Sequence, residues 1–131
     1  LAKRVRELSK DADYVIVEGV GGVLAPIDRD HTIADLGAHL DLQTVVVARN
    51  ALGVLSYTLT AVEALRKRKI SVRAIVLNHV DRKRDNDQSR SSNADVLADY
   101  LPRIPIVRVP RVQRAEDMVD AASQLLNILK I

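Results

Sequence analysis

Apolar residues follow two alternating patterns along the chain. Short, nearly unbroken runs rich in β-branched residues give way to longer segments in which apolar residues recur every three or four positions. The short runs predict strands, and the longer segments predict helices. The predicted strands are residues 14–17, 44–48, 72–77 and 104–109, and the predicted helices are residues 1–10, 33–40, 54–68, 91–101 and 116–129.

This alternation predicts an α/β fold with a doubly wound, mostly parallel sheet. The first three runs are almost continuously apolar, as expected for parallel strands that are covered on both faces. Right-handed crossovers through helices would link them. With 131 residues, no internal repeat and no low-complexity linker, residues 1–131 are predicted to form a single domain. The chain begins with a helix rather than with the strand that usually starts such a fold.

Two local signals refine the predicted elements. Thr32, followed three residues later by Asp35, predicts a helix start at residues 33–40, as a capping box with Asp in the position of Glu. Residues 81–93, with the sequence DRKRDNDQSRSSN, are polar throughout and predict the most mobile loop of the chain.

Composition narrows the class of protein. Hydrophobic residues make up 47% and charged residues 28%, with a net charge of +3, which is ordinary for a globular domain. No apolar stretch approaches the roughly 20 residues of a membrane span, and the start lacks a signal-peptide pattern, so we expect a cytoplasmic protein without a membrane partner. The absence of Cys excludes thiolate metal sites and Cys nucleophiles. Three Tyr are the only aromatic residues, so nucleic-acid binding is not expected.

The first candidate site follows the first predicted strand. Open α/β sheets bind ligands beyond the carboxyl ends of their strands, and Glu18 stands there, before Gly19, Gly21 and Gly22. A carboxylate suits a hard cation such as Mg²⁺, and the glycines would let backbone N–H groups approach a phosphate. The alternative is a tight turn with a solvated Glu. Leu24 replaces the third glycine of a dinucleotide-binding fingerprint, and the segment is not a P-loop.

The second candidate site follows the second strand. The chain turns at Gly53, and a predicted helix then begins, so free N–H groups at its start could hold an anion. Alternatively, Gly53 is only a cap and Ser56 only a residue of the first turn.

Asn78 and His79 form the third candidate site, after the strand at residues 72–77. The side chain of Asn offers both a donor and an acceptor, which suits the edge of an adenine ring. An Asn that merely fixes its own turn explains the residue equally well. His31, with Asp28 and Asp30, lacks the His-x-x-x-His spacing of a metal site, so a metal cluster is not favoured there. For the basic runs at residues 66–69 and 82–84, solvated charge is favoured over an anion-binding patch.

Three segments together resemble the dethiobiotin synthetase family, in the right order and over nearly the whole chain. They are VIVEGVGGVLAPI, LDLQTVVVARNALGVLSYTLTAVEALRKRKISVRAIVLN and LPRIPIVRVPRV. The resemblance implies a P-loop NTPase-like core and an ATP-dependent cyclo-ligase of biotin biosynthesis. Such enzymes close a ureido ring on 7,8-diaminopelargonic acid, using CO₂ or bicarbonate together with ATP and Mg²⁺.

The resemblance also implies roles for individual residues. Glu18 matches the acidic Mg²⁺ ligand of the family. The implied nucleotide-binding residues are Glu18, Gly19, Val20, Gly21, Asn78, His79, Pro110, Arg111, Val112 and Asp117. The helix start that binds the carboxylate of the substrate across a homodimer interface is matched by Gly53, Val54, Leu55 and Ser56. The sequence departs from the family pattern at His79, where an acidic residue is common, and at Ser56, where Asn is frequent.

Family members begin with a strand and a P-loop that ends in Gly-Lys-Thr, whereas this sequence contains no Gly-Lys pair. Phosphoryl transfer depends on positioning and charge neutralisation, which the Lys and Thr of the P-loop supply in the family. Because this segment lacks them, no catalytic residue is expected in it, and the chain alone is expected to be inactive. The resemblance implies a C-terminal portion, completed by a P-loop-bearing segment or subunit. Two alternatives remain: a non-catalytic nucleotide-binding or regulatory domain, and a fragment of a cobyrinic acid amidase-type synthetase.

Overall fold

Helices and strands alternate through residues 1–80, 86–112 and 114–131, the ranges that the computed structural model describes. In chain order the elements are α1 (Ala2–Leu8), α2 (Ile33–His39), β1 (Thr44–Arg49), α3 (Val54–Lys67), β2 (Val72–Asn78), α4 (Asn93–Tyr100), β3 (Ile106–Val109) and α5 (Val119–Leu129). Short 3₁₀ turns at Gln88–Ser91 and Ala115–Met118 precede α4 and α5. None of the helices within these ranges combines the length and the apolar character needed to cross a membrane.

The three strands form one parallel sheet in the order β1-β2-β3. Arg49 at the end of β1 is in register with Asn78 at the end of β2, and Asn78 is in register with Val109 at the end of β3. The carboxyl ends of all three strands therefore lie along one edge of the sheet. This arrangement confirms the predicted parallel α/β fold.

Helices cover both faces of the sheet. Ile75 and Leu77 of β2 pack in one core cluster with buried side chains of α3 and α4, among them Leu97. Val76, which points to the opposite face, packs in a second cluster with Ala121 of α5. Because each face of β2 is buried against helices, its residues read as a continuous apolar run, which explains why the sequence predicted this strand correctly.

The strand predicted at residues 14–17 is wrong, because the structure assigns no regular element there. Tyr14 is 64% exposed and Ile16 is 92% exposed. Val47, in the middle of the edge strand β1, is also exposed, at 65%. An apolar run becomes a strand only when a neighbouring strand supplies hydrogen bonds and cover, and within the described ranges no strand pairs with residues 14–17.

Two other predictions are corrected near α4. Residues 81–85 of the predicted mobile loop lie outside the described residues, but residues 88–93 form a 3₁₀ turn and the start of α4. The loop prediction is therefore wrong for that part. The strand predicted at residues 104–109 is shortened to Ile106–Val109. Pro105 has no N–H to donate to a neighbour, although its carbonyl accepts a hydrogen bond from Ile75 N at 2.9 Å.

The predicted capping box at the start of α2 is confirmed. Thr32 Oγ1 accepts a hydrogen bond from Asp35 N at 3.3 Å, and Asp35 Oδ2 accepts one from Thr32 N at 2.8 Å. Arg68, just after α3, donates from Nε to Asp35 Oδ1 at 2.7 Å. The hydrogen bonds from Arg68 and then from Thr32 hold the pKa of the Asp35 carboxyl well below its usual range.

The lowered pKa of Asp35 makes the stability of the fold depend on pH. Because the pKa is lower in the folded chain than in the unfolded chain, the carboxylate stabilises the fold above its ordinary pKa of 3.8. This contribution begins to decline as the pH falls below 3.8, where the unfolded chain takes up a proton, and it is lost completely once the pH has fallen through the lowered value. We expect Asp35→Asn to lower the melting temperature by a few degrees near neutral pH, and the difference from the wild type to shrink in acid.

Scanning calorimetry between about pH 7 and about pH 3 tests this expectation, since the window lies around the ordinary carboxyl pKa. Asp99→Asn, which changes an exposed Asp of α4, is the matched control. A difference between wild type and Asp35→Asn that is constant across this range would contradict the role given to the ion pair.

Candidate functional site

Glu18 lies in an irregular loop, and its side chain is exposed. The next residue, Gly19, packs so closely on α2 that an added Cβ would lie 2.6 Å from Ile33 Cγ2. Gly21 has a φ of +83°, which favours glycine. The glycines of this loop therefore serve a close packing contact and a left-handed turn, and they leave the Glu18 carboxylate exposed to solvent.

Backbone hydrogen bonds fasten the end of this loop to the start of α2. Ile33 N donates to Ala25 O at 3.0 Å, and Ala34 N donates to Val23 O at 2.8 Å. Val23 also packs against the main core cluster. The segment that carries Glu18 is thus anchored through α2 on its C-terminal side.

Asp28 and His31 close a turn in the segment between Ala25 and Ile33. The Asp28 carboxylate accepts hydrogen bonds from the backbone N–H of Asp30 and from His31 Nδ1, both at 2.9 Å. These contacts lower the pKa of Asp28, and the bond with Asp28 raises the pKa of His31. In the described part of the chain, no group of three or more His, Asp or Glu side chains is placed to hold a metal ion. The hydrogen bonds of Asp28 therefore stabilise the local turn at residues 28–31.

The ends of the strands bring several predicted site residues together. Asn50 N donates to Asn78 O at 2.8 Å, and His79 N donates to Val109 O at 3.0 Å. Asn78 and His79 are both half-buried, and Pro110 directly follows β3. The carboxyl edge of the sheet therefore places the Asn78–His79 pair between the turn after β1 and the segment after β3.

The remaining predicted nucleotide-binding residues follow β3. Arg111 is exposed and Val112 is half-buried. Asp117 lies in the 3₁₀ turn before α5, where Arg114 Nη2 donates a hydrogen bond to Asp117 Oδ1 at 3.4 Å. Within the described ranges, no hydrogen bond joins Asp117 or Glu18 directly to the sheet edge.

The turn after β1 leads into α3 through Gly53, which has a φ of +91° and is the N-cap residue. Val54 is fully buried, Leu55 is half-buried and Ser56 is exposed. Tyr57 in the same first turn donates from its hydroxyl to Arg49 O at 2.5 Å. The first turn of α3 is thus held against the end of β1, with backbone N–H groups at its start that suit an anion.

A polar network that was not predicted from the sequence supports this turn from the other side. Asn93 is only 2% exposed and donates from Nδ2 to Asn50 Oδ1 at 2.8 Å. Arg90 Nε donates to Asn50 O at 3.0 Å, and Leu52 N donates to Asp87 Oδ2 at 2.6 Å. The local signal in the sequence is Asp87 two residues before a Ser, the pattern of an Asx turn.

Comparisons with known proteins identify the family. Residues 1–119 match the AAA domain family. The ATP-dependent dethiobiotin synthetase BioD of Anaeromyxobacter sp. (strain Fw109-5) is 39% identical over 109 residues, which are 83% of this chain and 48% of that protein.

Two further relatives carry the same name. That of Acidiphilium cryptum (strain JF-5) is 45% identical over 75 residues, 57% of this chain and 34% of that protein. That of Methanocaldococcus jannaschii is 45% identical over 71 residues, 54% of this chain and 33% of that protein. At most, the chain spans about half the length of these curated relatives. The chain therefore belongs to the AAA domain family, and within it is similar to the C-terminal portion of ATP-dependent dethiobiotin synthetases.

Proposed function

We propose that this chain is one α/β domain forming the C-terminal portion of an ATP-dependent dethiobiotin synthetase, a cytoplasmic homodimer of biotin biosynthesis. The observation that carries the proposal is the carboxyl edge of the sheet, where Asn78, His79 and Pro110 lie beside the turn into α3. Parallel α/β sheets bind ligands at this edge. The names of the relatives support ATP as the nucleotide and ligation as the class of reaction.

Asn78 is proposed to recognise the adenine ring. Its side chain offers one donor and one acceptor at the end of β2, which is the pairing that an adenine edge requires. His79 adjoins it, and the backbone of residues 110–112 would pack against the base, with Asp117 near the nucleoside. The Glu18–Gly21 segment would lie along the phosphates, where glycine lets backbone N–H groups approach closely.

Glu18 is proposed to hold Mg²⁺ on the nucleotide. Mg²⁺ is usually bound by one or two carboxylates together with substrate phosphates and water. An exposed carboxylate beside the loop that is proposed to bind the phosphates suits it. Mg²⁺ bound there would neutralise charge on the phosphoryl group that is transferred.

The start of α3, from Gly53 to Ser56, is proposed to bind the carboxylate of 7,8-diaminopelargonic acid across the dimer interface. One amine of this substrate adds to CO₂ and becomes a carbamate. A carbamate oxygen then attacks the γ-phosphorus of ATP, and ADP leaves. The second amine attacks the carbamate carbon, phosphate leaves, and the ureido ring closes. The role of this chain is to hold the nucleotide and the substrate in register for these steps.

A P-loop-bearing segment is proposed to complete the site along the outer edge of β1, where no other strand of the described residues pairs with it. Val47 in that strand and Ile16 in the preceding irregular segment are both largely exposed. An exposed apolar edge strand is a template for pairing with a further strand. An added strand would cover Val47 and bring a phosphate-binding loop to the same carboxyl edge as Asn78.

Reconstitution tests the proposed function. The chain alone is expected to release no ADP in the presence of 7,8-diaminopelargonic acid, bicarbonate and Mg-ATP. Fused to the N-terminal half of the Anaeromyxobacter relative, it is expected to form dethiobiotin and ADP in equal amounts. A coupled ADP assay and mass spectrometry of the product measure both. A fusion whose P-loop Lys is replaced by Ala is the control, and it is expected to be inactive.

Each other outcome has a distinct meaning. Turnover by the chain alone would contradict the need for a P-loop segment. ATP binding without turnover in the fusion would favour the non-catalytic nucleotide-binding domain. Consumption of ATP with a corrinoid substrate, but not with the diamine, would favour the cobyrinic acid amidase-type synthetase.

A further inference from the structure

The carboxylate of Asp87 joins the turn after β1 to the 3₁₀ turn before α4. Its Oδ2 accepts a hydrogen bond from Leu52 N at 2.6 Å. Its Oδ1 accepts hydrogen bonds from Ser89 N at 3.0 Å and from Ser89 Oγ at 2.5 Å. The side chain of Asp87 is only 13% exposed, so the carboxylate is enclosed between the two turns that it connects.

Neighbouring side chains reinforce this connection. Asn93 and Arg90 donate to the side chain and to the backbone oxygen of Asn50, at 2.8 and 3.0 Å. Arg90 Nε also lies 3.8 Å from Asp87 Oδ2, so the negative charge has a cation beside it. The hydrogen bonds from Ser89 and Leu52 and the charge of Arg90 lower the pKa of the Asp87 carboxyl, which keeps it an ionised acceptor.

The turn itself has little apolar contact at its tip to fix its position. The side chain of Leu52 is 82% exposed. Gly53 follows with a positive φ, a conformation that lets the chain change direction into α3. Buried Val54 and the hydrogen bond from Tyr57 hold the first turn of α3, and Asn50 N bonds to Asn78 O. At the tip of the turn, the polar contact from Asp87 to Leu52 N fixes the backbone that leads into the first N–H groups of α3.

We propose that Asp87 is a positioning residue for recognition of the substrate's carboxylate. It acts through the N–H of Leu52, which holds the turn before α3, and it does not itself contact the substrate. The assignment rests on the proposed function, in which the start of α3 binds that carboxylate. It predicts that Asp87 governs affinity for the carboxylate-bearing diamine and leaves the nucleotide subsite unchanged.

Kinetics of the fused, active enzyme test the assignment. Asp87→Ala is expected to raise the KM for 7,8-diaminopelargonic acid about tenfold, because small displacements of a binding group are costly. The kcat and the KM for ATP are expected to stay within about twofold of the wild type, since Asp87 contacts the tip of the turn at Leu52 and the bond from Asn50 N to Asn78 O is kept. Asp87→Asn, which keeps one acceptor oxygen, should restore part of the affinity. Asp99→Ala, at an exposed position of α4, is the matched control.

A second substrate separates positioning from general damage to the fold. The probe is a vicinal diamine with the same alkyl chain but without the carboxylate. Its KM is expected to be the same for the wild type and for Asp87→Ala. The amide proton resonance of Leu52 is expected to move upfield in Asp87→Ala, since it loses a short hydrogen bond to a carboxylate.

The outcomes distinguish the two hypotheses. An active wild type whose KM for 7,8-diaminopelargonic acid is unchanged by Asp87→Ala would overturn the positioning role alone. An equal rise in KM for both diamines would overturn it as well, because the effect would then not pass through the carboxylate. A wild-type fusion that does not turn over the diamine would overturn the proposed function, and this assignment with it.

Discussion

Replacing Glu18 by Gln in the completed enzyme is expected to lower kcat by about a hundredfold or more, the usual cost of losing one preorganised charge at a reacting phosphoryl group. The side chain is exposed and Gln has the same shape, so the melting temperature should hardly change. The variant loses the carboxylate proposed to hold Mg²⁺, and with it part of the neutralisation of transferred charge. Steady-state ADP release, measured at increasing Mg²⁺ concentrations, gives the effect.

The matched control is Glu63→Gln, which makes the same chemical change elsewhere. Glu63 is an exposed residue of α3 that pairs with Lys67 at 2.9 Å. Its substitution is expected to leave kcat unchanged. Partial recovery of Glu18→Gln at high Mg²⁺ would support weakened metal binding as the cause of the loss. A kcat for Glu18→Gln equal to that of the wild type would remove the metal role from this residue.

The parallel sheet could be predicted because its central strand is buried on both faces. Residues 74–77 of β2 are all buried, and such a strand must be apolar at every position. The start of α2 could also be predicted, since the Thr32 and Asp35 side chains bond to nearby backbone. In both cases the sequence carries the information locally, within one element.

Residues 14–17 show where a local pattern is not sufficient. Their apolar run matches that of β2, yet Ile16 is 92% exposed whereas Ile75 is completely buried. The difference is the presence of paired neighbouring strands, which no property of the run itself encodes. To predict a strand correctly therefore requires knowing its neighbouring strands as well as its own residues.

The network around Asn50 could not be predicted from composition. Residues 81–93 are polar, a property of solvated loops, but Asn93 is nearly inaccessible. Its partner lies 43 positions away in sequence, and the partner of Asp87 lies 35 positions away. Polar side chains that bond across the fold have the same composition as solvated ones, so only the tertiary structure separates the two cases.

The position of the candidate site at the sheet edge could be predicted from the sequence, but the ligands that it binds could not. Topology alone puts Asn78, Pro110 and the turn before Gly53 at one edge, because parallel strands end together. The residues alone suggested a hard cation, an anion and an adenine edge, each with a structural explanation beside it. The family resemblance was needed to choose between these interpretations and to name the substrate. Glu18 is less constrained, because the backbone hydrogen bonds that fasten its segment within residues 1–80, 86–112 and 114–131 run to α2.

Asn78→Asp is expected to shift the nucleotide preference of the completed enzyme from ATP towards GTP. Asp keeps the acceptor oxygen but replaces the donor, so a ring nitrogen of adenine would face a carboxylate oxygen. Leaving such a group unpaired costs about 1–3 kcal/mol, so kcat/KM for ATP should fall roughly ten- to a hundredfold. Guanine presents two donors on the corresponding edge, so kcat/KM for GTP should rise. The measurement is the ratio of kcat/KM for ATP to kcat/KM for GTP.

The fold should tolerate this change, because the contact that Asn78 makes with the turn after β1 uses its backbone oxygen. Asn127→Asp, at an exposed position of α5, adds the same charge away from the sheet edge and is expected to leave the ratio unchanged. A ratio that is the same in the wild type and in Asn78→Asp would mean that Asn78 only fixes its own turn. A fall in the ratio confined to Asn78→Asp would support adenine recognition at the end of β2.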